Sequence, residues 1–248
     1  MKNYSLPQSA LNVIEAYLHL KAAENKYVRC PYFRNPKSRQ ERWGLAVYAG
    51  KGSPQDIEGE LRIIEKLEGA DFSKMPEEAI RGIMKKRKLG VECSGFITHV
   101  LDAYSRTKYK KPLHRLIKFN NNGLRWLFCR MRPYTHIDIE TLTDDGNARP
   151  IDNIQEIMPG DLIRFNTEID HAVIVTAIEA DDSGALEKVF YSHSVLEENR
   201  EGIKRGVIDF ISPGGNLAAQ RWQEEPETRH TINQRGEPKV YRLYIMHD

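Results

Sequence analysis

The chain has 248 residues, 40% of them hydrophobic, enough to bury one proper core and favouring a single domain with insertions over two full domains. Its 37 basic and 35 acidic residues leave a formal net charge of +2, which excludes a whole-molecule field drawing it to nucleic acid or to an anionic membrane. Three cysteines, Cys30, Cys93 and Cys129, are an odd and sparse set that argues against a disulfide framework.

In chain order, Met1 to Ser5 leads into an amphipathic helix rather than a secretion signal, and no apolar run approaches a membrane span. The expectation is a cytoplasmic protein, or one exported without a cleavable signal. Ser9 to Ala23 reads as that helix, with Leu11, Ile14, Leu18 and Leu20 partly on one face, and residues 1–27 form an N-terminal helical extension. Ser53-Pro54-Gln55-Asp56 opens a better one: serine caps, proline suits the first helical position, and an acid follows in the first turn. Ile57, Leu61, Ile64 and Leu67 supply its apolar stripe. Pro76-Glu77-Glu78 starts another helix through Met84, and Lys85-Lys86-Arg87-Lys88 suits a solvated helix C-terminus. Residues 34–88 are thus a helical insertion forming a lobe over one side of a cleft.

Gly90-Val91-Glu92-Cys93-Ser94-Gly95-Phe96-Ile97 carries the strongest signal. Cys93 falls in the first turn of a helix whose apolar positions continue through Val100, Leu101 and Tyr104. Backbone N–H groups there lack intrahelical partners and carry the positive end of the dipole, which favours thiolate and can bind an oxyanion. Taken alone, such a cysteine is more often a small buried residue.

Residues 105–153, with Asn120-Asn121-Asn122-Gly123, Asp144-Asp145-Gly146 and Pro150, read as an insertion docked through Leu124, Trp126, Leu127 and Phe128. The basic and aromatic runs at 108–111 and 125–132 have a composition that suits contact with an anionic polymer, a reading ranked below plain solvated surface. Met158-Pro159-Gly160-Asp161 is a turn into the strand Leu162-Ile163-Arg164-Phe165, and Asp170-His171-Ala172-Val173-Ile174-Val175 begins a second. Asp181-Asp182-Ser183-Gly184 signals a hairpin returning into Val189-Phe190-Tyr191-Ser192-His193-Ser194. His171 near the start of one strand and His193 near the end of its partner therefore fall at one end of the ladder. A thiol, an imidazole to take its proton and a second group to orient that imidazole are the parts of a nucleophilic site. Asn216 to Pro238 reads as an irregular surface excursion.

The order Glu-Cys-Ser-Gly-Phe, Pro-Gly-Asp-Leu-Ile-Arg-Phe, His-Ala-Val-Ile-Val and Tyr-Ser-His-Ser resembles the NlpC/P60 superfamily of papain-like cysteine peptidases. The resemblance implies an α+β fold over residues 1–248 as one domain, with the nucleophile helix packed on a small antiparallel sheet. Cys30-Pro31-Tyr32-Phe33 is similar to that family's Pro-Tyr segment, which implies that Tyr32 joins Cys93, His171 and His193 as a catalytic residue. Gly206 to Phe210 and Val240 to Ile245 resemble its closing strands. Glu92 stands where the family usually has aspartate, and Phe33-Arg34-Asn35 replaces Trp-Gly-Gly. Glu92, Ser94, Gly95 and Asp170 are the candidate substrate-binding residues. The substrate implied is a bacterial cell-wall muropeptide, cut at an amide bond without cofactor or metal.

Three other readings stay open. An acyltransferase of related fold would want an apolar trough beside Cys93. One cysteine and two histidines are also an acceptable zinc set, although no Cys-x-x-Cys or His-Glu-x-x-His pattern supports it. A non-catalytic binding module would be expected to have lost a catalytic residue. His99, His114, His136 and His230 show no partner pattern and read as surface or core.

Overall fold

A computed structural model of the chain describes residues 1–34, 46–119, 131–165, 170–196, 202–212, 214–224, 228–229 and 237–246. Leu124, Trp126, Leu127, Phe128, Cys129, Asn35 and His230, and with them the docking expected of the first four, lie outside the described residues.

The fold is mixed α and β around an antiparallel sheet. Its strands are β1 (Lys2–Ser5), β4 (Ala148–Ile151), β5 (Leu162–Phe165), β6 (His171–Ala180), β7 (Leu186–Val195), β8 (Gly202–Asp209), β9 (Arg221–Glu224), β10 (Thr228–Arg229) and β11 (Pro238–Leu243). They lie in the order β10-β9-β8-β7-β6-β5-β11-β4, with β1 added against the outer half of β6, Ala177 to Ala180. A separate hairpin joins β2 (Leu20–Ala23) to β3 (Lys26–Val28). The longer helices are α1 (Gln8–Leu18), α2 (Pro54–Glu68), α3 (Glu77–Lys86) and α4 (Cys93–Tyr109).

Strand β6 is buried along nearly its whole length, so its period of two divides it between two cores. Ala172 and Ile174 join Phe96, Ile97, Val100 and Leu101 of α4 in one cluster. Val173 and Val175 join Ile163, Phe165, Val189, Tyr191 and Trp222 in the other. Those four α4 side chains are fully buried, each contributing about 1.5–3 kcal/mol, and they fix the start of α4 against the sheet.

Capping of α2 follows the sequence: the Asp56 N–H donates to Ser53 Oγ, the Asp56 carboxylate accepts from the Ser53 N–H, and Pro54 begins the helix. Ile57, Leu61 and Ile64 are buried, but Leu67 is exposed because the helix leaves the core in its last turn before Gly69.

Three expectations are corrected. Helix α1 stops at Leu18, because Leu20 and Val28 gain full burial as cross-strand partners. Asn25, at φ 55°, makes the left-handed turn between them. The insertion expected over residues 105–153 contributes a strand to the main sheet, β4, with Pro150 tolerated because β4 is an edge strand. The expected excursion after Asn216 contains β9, which pairs with β8 and alternates exposed Arg221 and Gln223 with buried Trp222 and Glu224. Among the described residues no helix is long and apolar enough to cross a membrane.

Candidate active site

The register of β6 against β7 runs from Ala180↔Leu186 to Ile174↔Ser192. Beyond that pair, the first residues of β6 and the last of β7 border Val91 to Cys93. The Ser194 hydroxyl donates to the Val91 carbonyl at 2.6 Å, and Cys93 Sγ lies 3.9 Å from the Asp170 carbonyl. The sulfur thus touches the backbone beside His171. Tyr32 arrives by its own backbone bridge to Val91, flanked by Val91 N–H to Pro31 O at 3.1 Å, and is half-buried there.

His171 and His193 meet each other at this end of the ladder, beside Phe165 and Tyr191 of the second core. His171 Nε2 and His193 Nδ1 are 2.7 Å apart, with ring centroids at 5.0 Å. That separation is a hydrogen bond. Two nitrogens on one tetrahedral zinc would stand about 3.4 Å apart, so the pair as arranged is not a joint ligand set. Among the described residues no group of three or more His, Cys, Asp and Glu is placed to hold a metal ion.

Behind His193 stands Glu224, which was not singled out from the sequence. Glu224 Oε1 lies 2.7 Å from His193 Nε2, off the straight line of the ring N–H, and both side chains are buried. The Tyr191 hydroxyl donates to the same oxygen at 3.2 Å. Phe165, Tyr191 and Trp222 wall this file of polar groups, Tyr191 and Trp222 with centroids 5.2 Å apart and Phe165 lying 6.1 Å from His171. A signal existed: Arg-Trp-Gln-Glu alternates polar and buried positions as a strand does, but four residues in a charged run are too short to read.

No family model, no curated protein and no solved structure matches the chain.

Electrostatics at Cys93 oppose the expectation of a resting thiolate. Burial pushes its thiol up to about 11 and the adjacent Glu92 carboxylate acts the same way, while Lys51 and the N–H groups of Ala172 and Ser94 pull down. Desolvation therefore outweighs the helix start. Cys93 is 6% exposed.

The candidate substrate-binding residues are placed differently from one another. Glu92 Oε1 is 2.6 Å from Lys51 Nζ and accepts from the Ser94 hydroxyl at 2.8 Å, while Lys51 also donates to Ser94 Oγ and to the Ile137 carbonyl. Arg34 approaches the other Glu92 oxygen at 3.8 Å. Ser94 is buried, and a Cβ on Gly95 would stand 2.3 Å from the Gly50 carbonyl, so these two serve the packing of α4 on the 50–51 backbone. Asp170 stays partly exposed, its carboxylate held by Arg164 with contacts of 3.0 Å to both oxygens. Lys51 and Arg164 were not legible as site residues, since Lys51 lies 41 positions from Glu92 and Arg164 meets Asp170 through the pairing of β5 with β6, whose register sequence does not fix. His99 bonds the Lys51 carbonyl at 2.9 Å and stacks on Tyr134, a structural role.

Proposed function

We propose that the protein is a cysteine peptidase or amidase of NlpC/P60-like, papain-like design, hydrolysing an amide bond in bacterial peptidoglycan-type peptides through an acyl-enzyme. The observation that carries this reading is the 2.7 Å contact of His171 with His193, with the sulfur of Cys93, in the first turn of a helix, 3.9 Å from the carbonyl of the residue before His171.

With His171 Nε2 engaged by His193, proton exchange with the sulfur falls to Nδ1. As the sulfur attacks the substrate carbonyl, the S–H proton passes to Nδ1 and an S–C bond forms. The Cys93 backbone N–H and Tyr32 stabilise the oxyanion. Collapse breaks the C–N bond, and His171 gives its proton to the departing amine. Water then adds to the thioester, returning a proton to His171, and the C–S bond breaks to release acid and reprotonate sulfur. A raised thiol pKa fits a base that acts during attack rather than a preformed ion pair.

Digestion of purified muropeptides followed by mass spectrometry tests the reading, because product masses identify the bond cut. Cys93→Ala and His171→Ala are expected to abolish cleavage while the fold persists, and His193→Ala to leave a slow residue of it. Full cleavage by Cys93→Ala rules the proposal out.

A further inference from the structure

We infer that Glu224 is a positioning residue which determines, through two imidazoles in series, which nitrogen of His171 carries the lone pair that accepts the thiol proton. The inference rests on the hydrolase reading above. A neutral imidazole has one N–H and one lone pair, and a partner at one nitrogen decides what the other nitrogen offers. With a lone pair at His193 Nε2 two electron-rich atoms would stand 2.7 Å apart, so the charge of the Glu224 carboxylate, although off the line of the ring N–H, favours the proton at Nε2. His193 Nδ1 is then the acceptor in its 2.7 Å contact, and His171 Nε2 is the donor. His171 Nδ1 is left with the lone pair, as the proposed attack needs.

Without the carboxylate the opposite polarity is equally satisfied. His193 Nδ1–H would donate to His171 Nε2, and Nδ1 of His171 would carry a hydrogen and be unable to accept one. Glu224 removes that alternative. It also places negative charge behind the imidazole pair when His171 takes up the proton, in an aromatic enclosure where such contacts are strong.

The surroundings are built to keep the carboxylate in place. Glu224 is 6% exposed, and its Oε1 accepts from the Tyr191 hydroxyl at 3.2 Å. Gly206, the cross-strand neighbour of both Tyr191 and Glu224, makes room for that tyrosine, since a Cβ there would stand 2.2 Å from its ring. The β7-β8-β9 ladder thus carries His193, the clearance and the carboxylate in adjacent positions.

The test is nitrogen-15 NMR of the full chain with labelled histidine, which distinguishes the two ring tautomers in the resting protein. Wild type is expected to show Nε2–H on both His171 and His193. Glu224→Gln is expected to give His171 a substantial Nδ1–H population, and to lower kcat on the muropeptide about 10–100-fold with KM nearly unchanged. An unchanged His171 tautomer in a folded Glu224→Gln protein overturns the inference. If that variant does not fold, wild type decides, because Nδ1–H on His171 contradicts the relay. The tautomers are read without substrate, so a wild type that shows the expected forms yet cuts no peptide refutes the hydrolase reading, not the relay.

Discussion

Lys51 and Glu92 form an ion pair at 2.6 Å at the start of α4, their side chains 6% and 14% exposed. Three further contacts close the network, from Lys51 to Ser94 and Ile137 and from Ser94 to Glu92. Removing one partner leaves the other charge buried, so Lys51→Met is expected to cost about 3–5 kcal/mol in urea unfolding. Combining it with Glu92→Gln removes both charges and is expected to recover most of that loss. Simple addition of the two single effects would show that the pair is not coupled.

Gly95 lies on the same contact from the helix side. A methyl group there meets the Gly50 carbonyl at 2.3 Å and Lys51 Cα at 3.1 Å, both backbone atoms. Alanine favours helix over glycine by about 1 kcal/mol, but overpacking costs about 1–3 kcal/mol and pushes the start of α4 off its seat. Gly95→Ala is therefore expected to lower the melting temperature and to change the alkylation rate of Cys93. A higher melting temperature with unchanged alkylation would mean that the 50–51 backbone yields freely.

The elements legible in the sequence are those whose signal is local. Ser53, Pro54 and Asp56 announce α2 within four residues, and the apolar spacing after Cys93 announces α4, because capping and amphipathicity are written in neighbouring positions. His171 and His193 were placeable at one end of a ladder because a single hairpin joins them. What escaped depends on distant partners. Glu224 reaches His193 only because β9 pairs with β8, and Lys51 reaches Glu92 across 41 positions of chain. The resting state of Cys93 escaped for another reason: helix position is visible in sequence, whereas the desolvation that outweighs it is a property of the packed site.

Asp161, in the Pro-Gly-Asp turn before β5, receives two hydrogen bonds of 2.8 Å from Arg242 of β11 and one of 2.9 Å from the Met158 N–H. Its side chain is wholly buried and that of Arg242 is 9% exposed. Asp161→Asn replaces the carboxylate and leaves the guanidinium without its counter-charge, so a loss of about 3–5 kcal/mol is expected in urea. Leaving the proposed catalytic histidines untouched, it should lower stability far more than activity measured well below the melting temperature. A loss under 1 kcal/mol would show that water replaces the carboxylate without penalty.

Alkylation kinetics follow from the protonation of Cys93. Only the thiolate reacts with iodoacetamide, and with the thiol pushed up to about 11 the thiolate fraction rises as pH climbs toward that value. The Cys93 rate is expected to increase about tenfold per pH unit from about pH 8 to about pH 10 and to level off near the pKa. Cys30 should lag behind it, being fully buried with its thiol pushed higher still. Peptide mapping of the labelled chain assigns each rate to its cysteine. A Cys93 rate already level at neutral pH would reveal a thiolate paired with a charged imidazole before substrate arrives, and the proton would then leave sulfur ahead of the attack rather than during it.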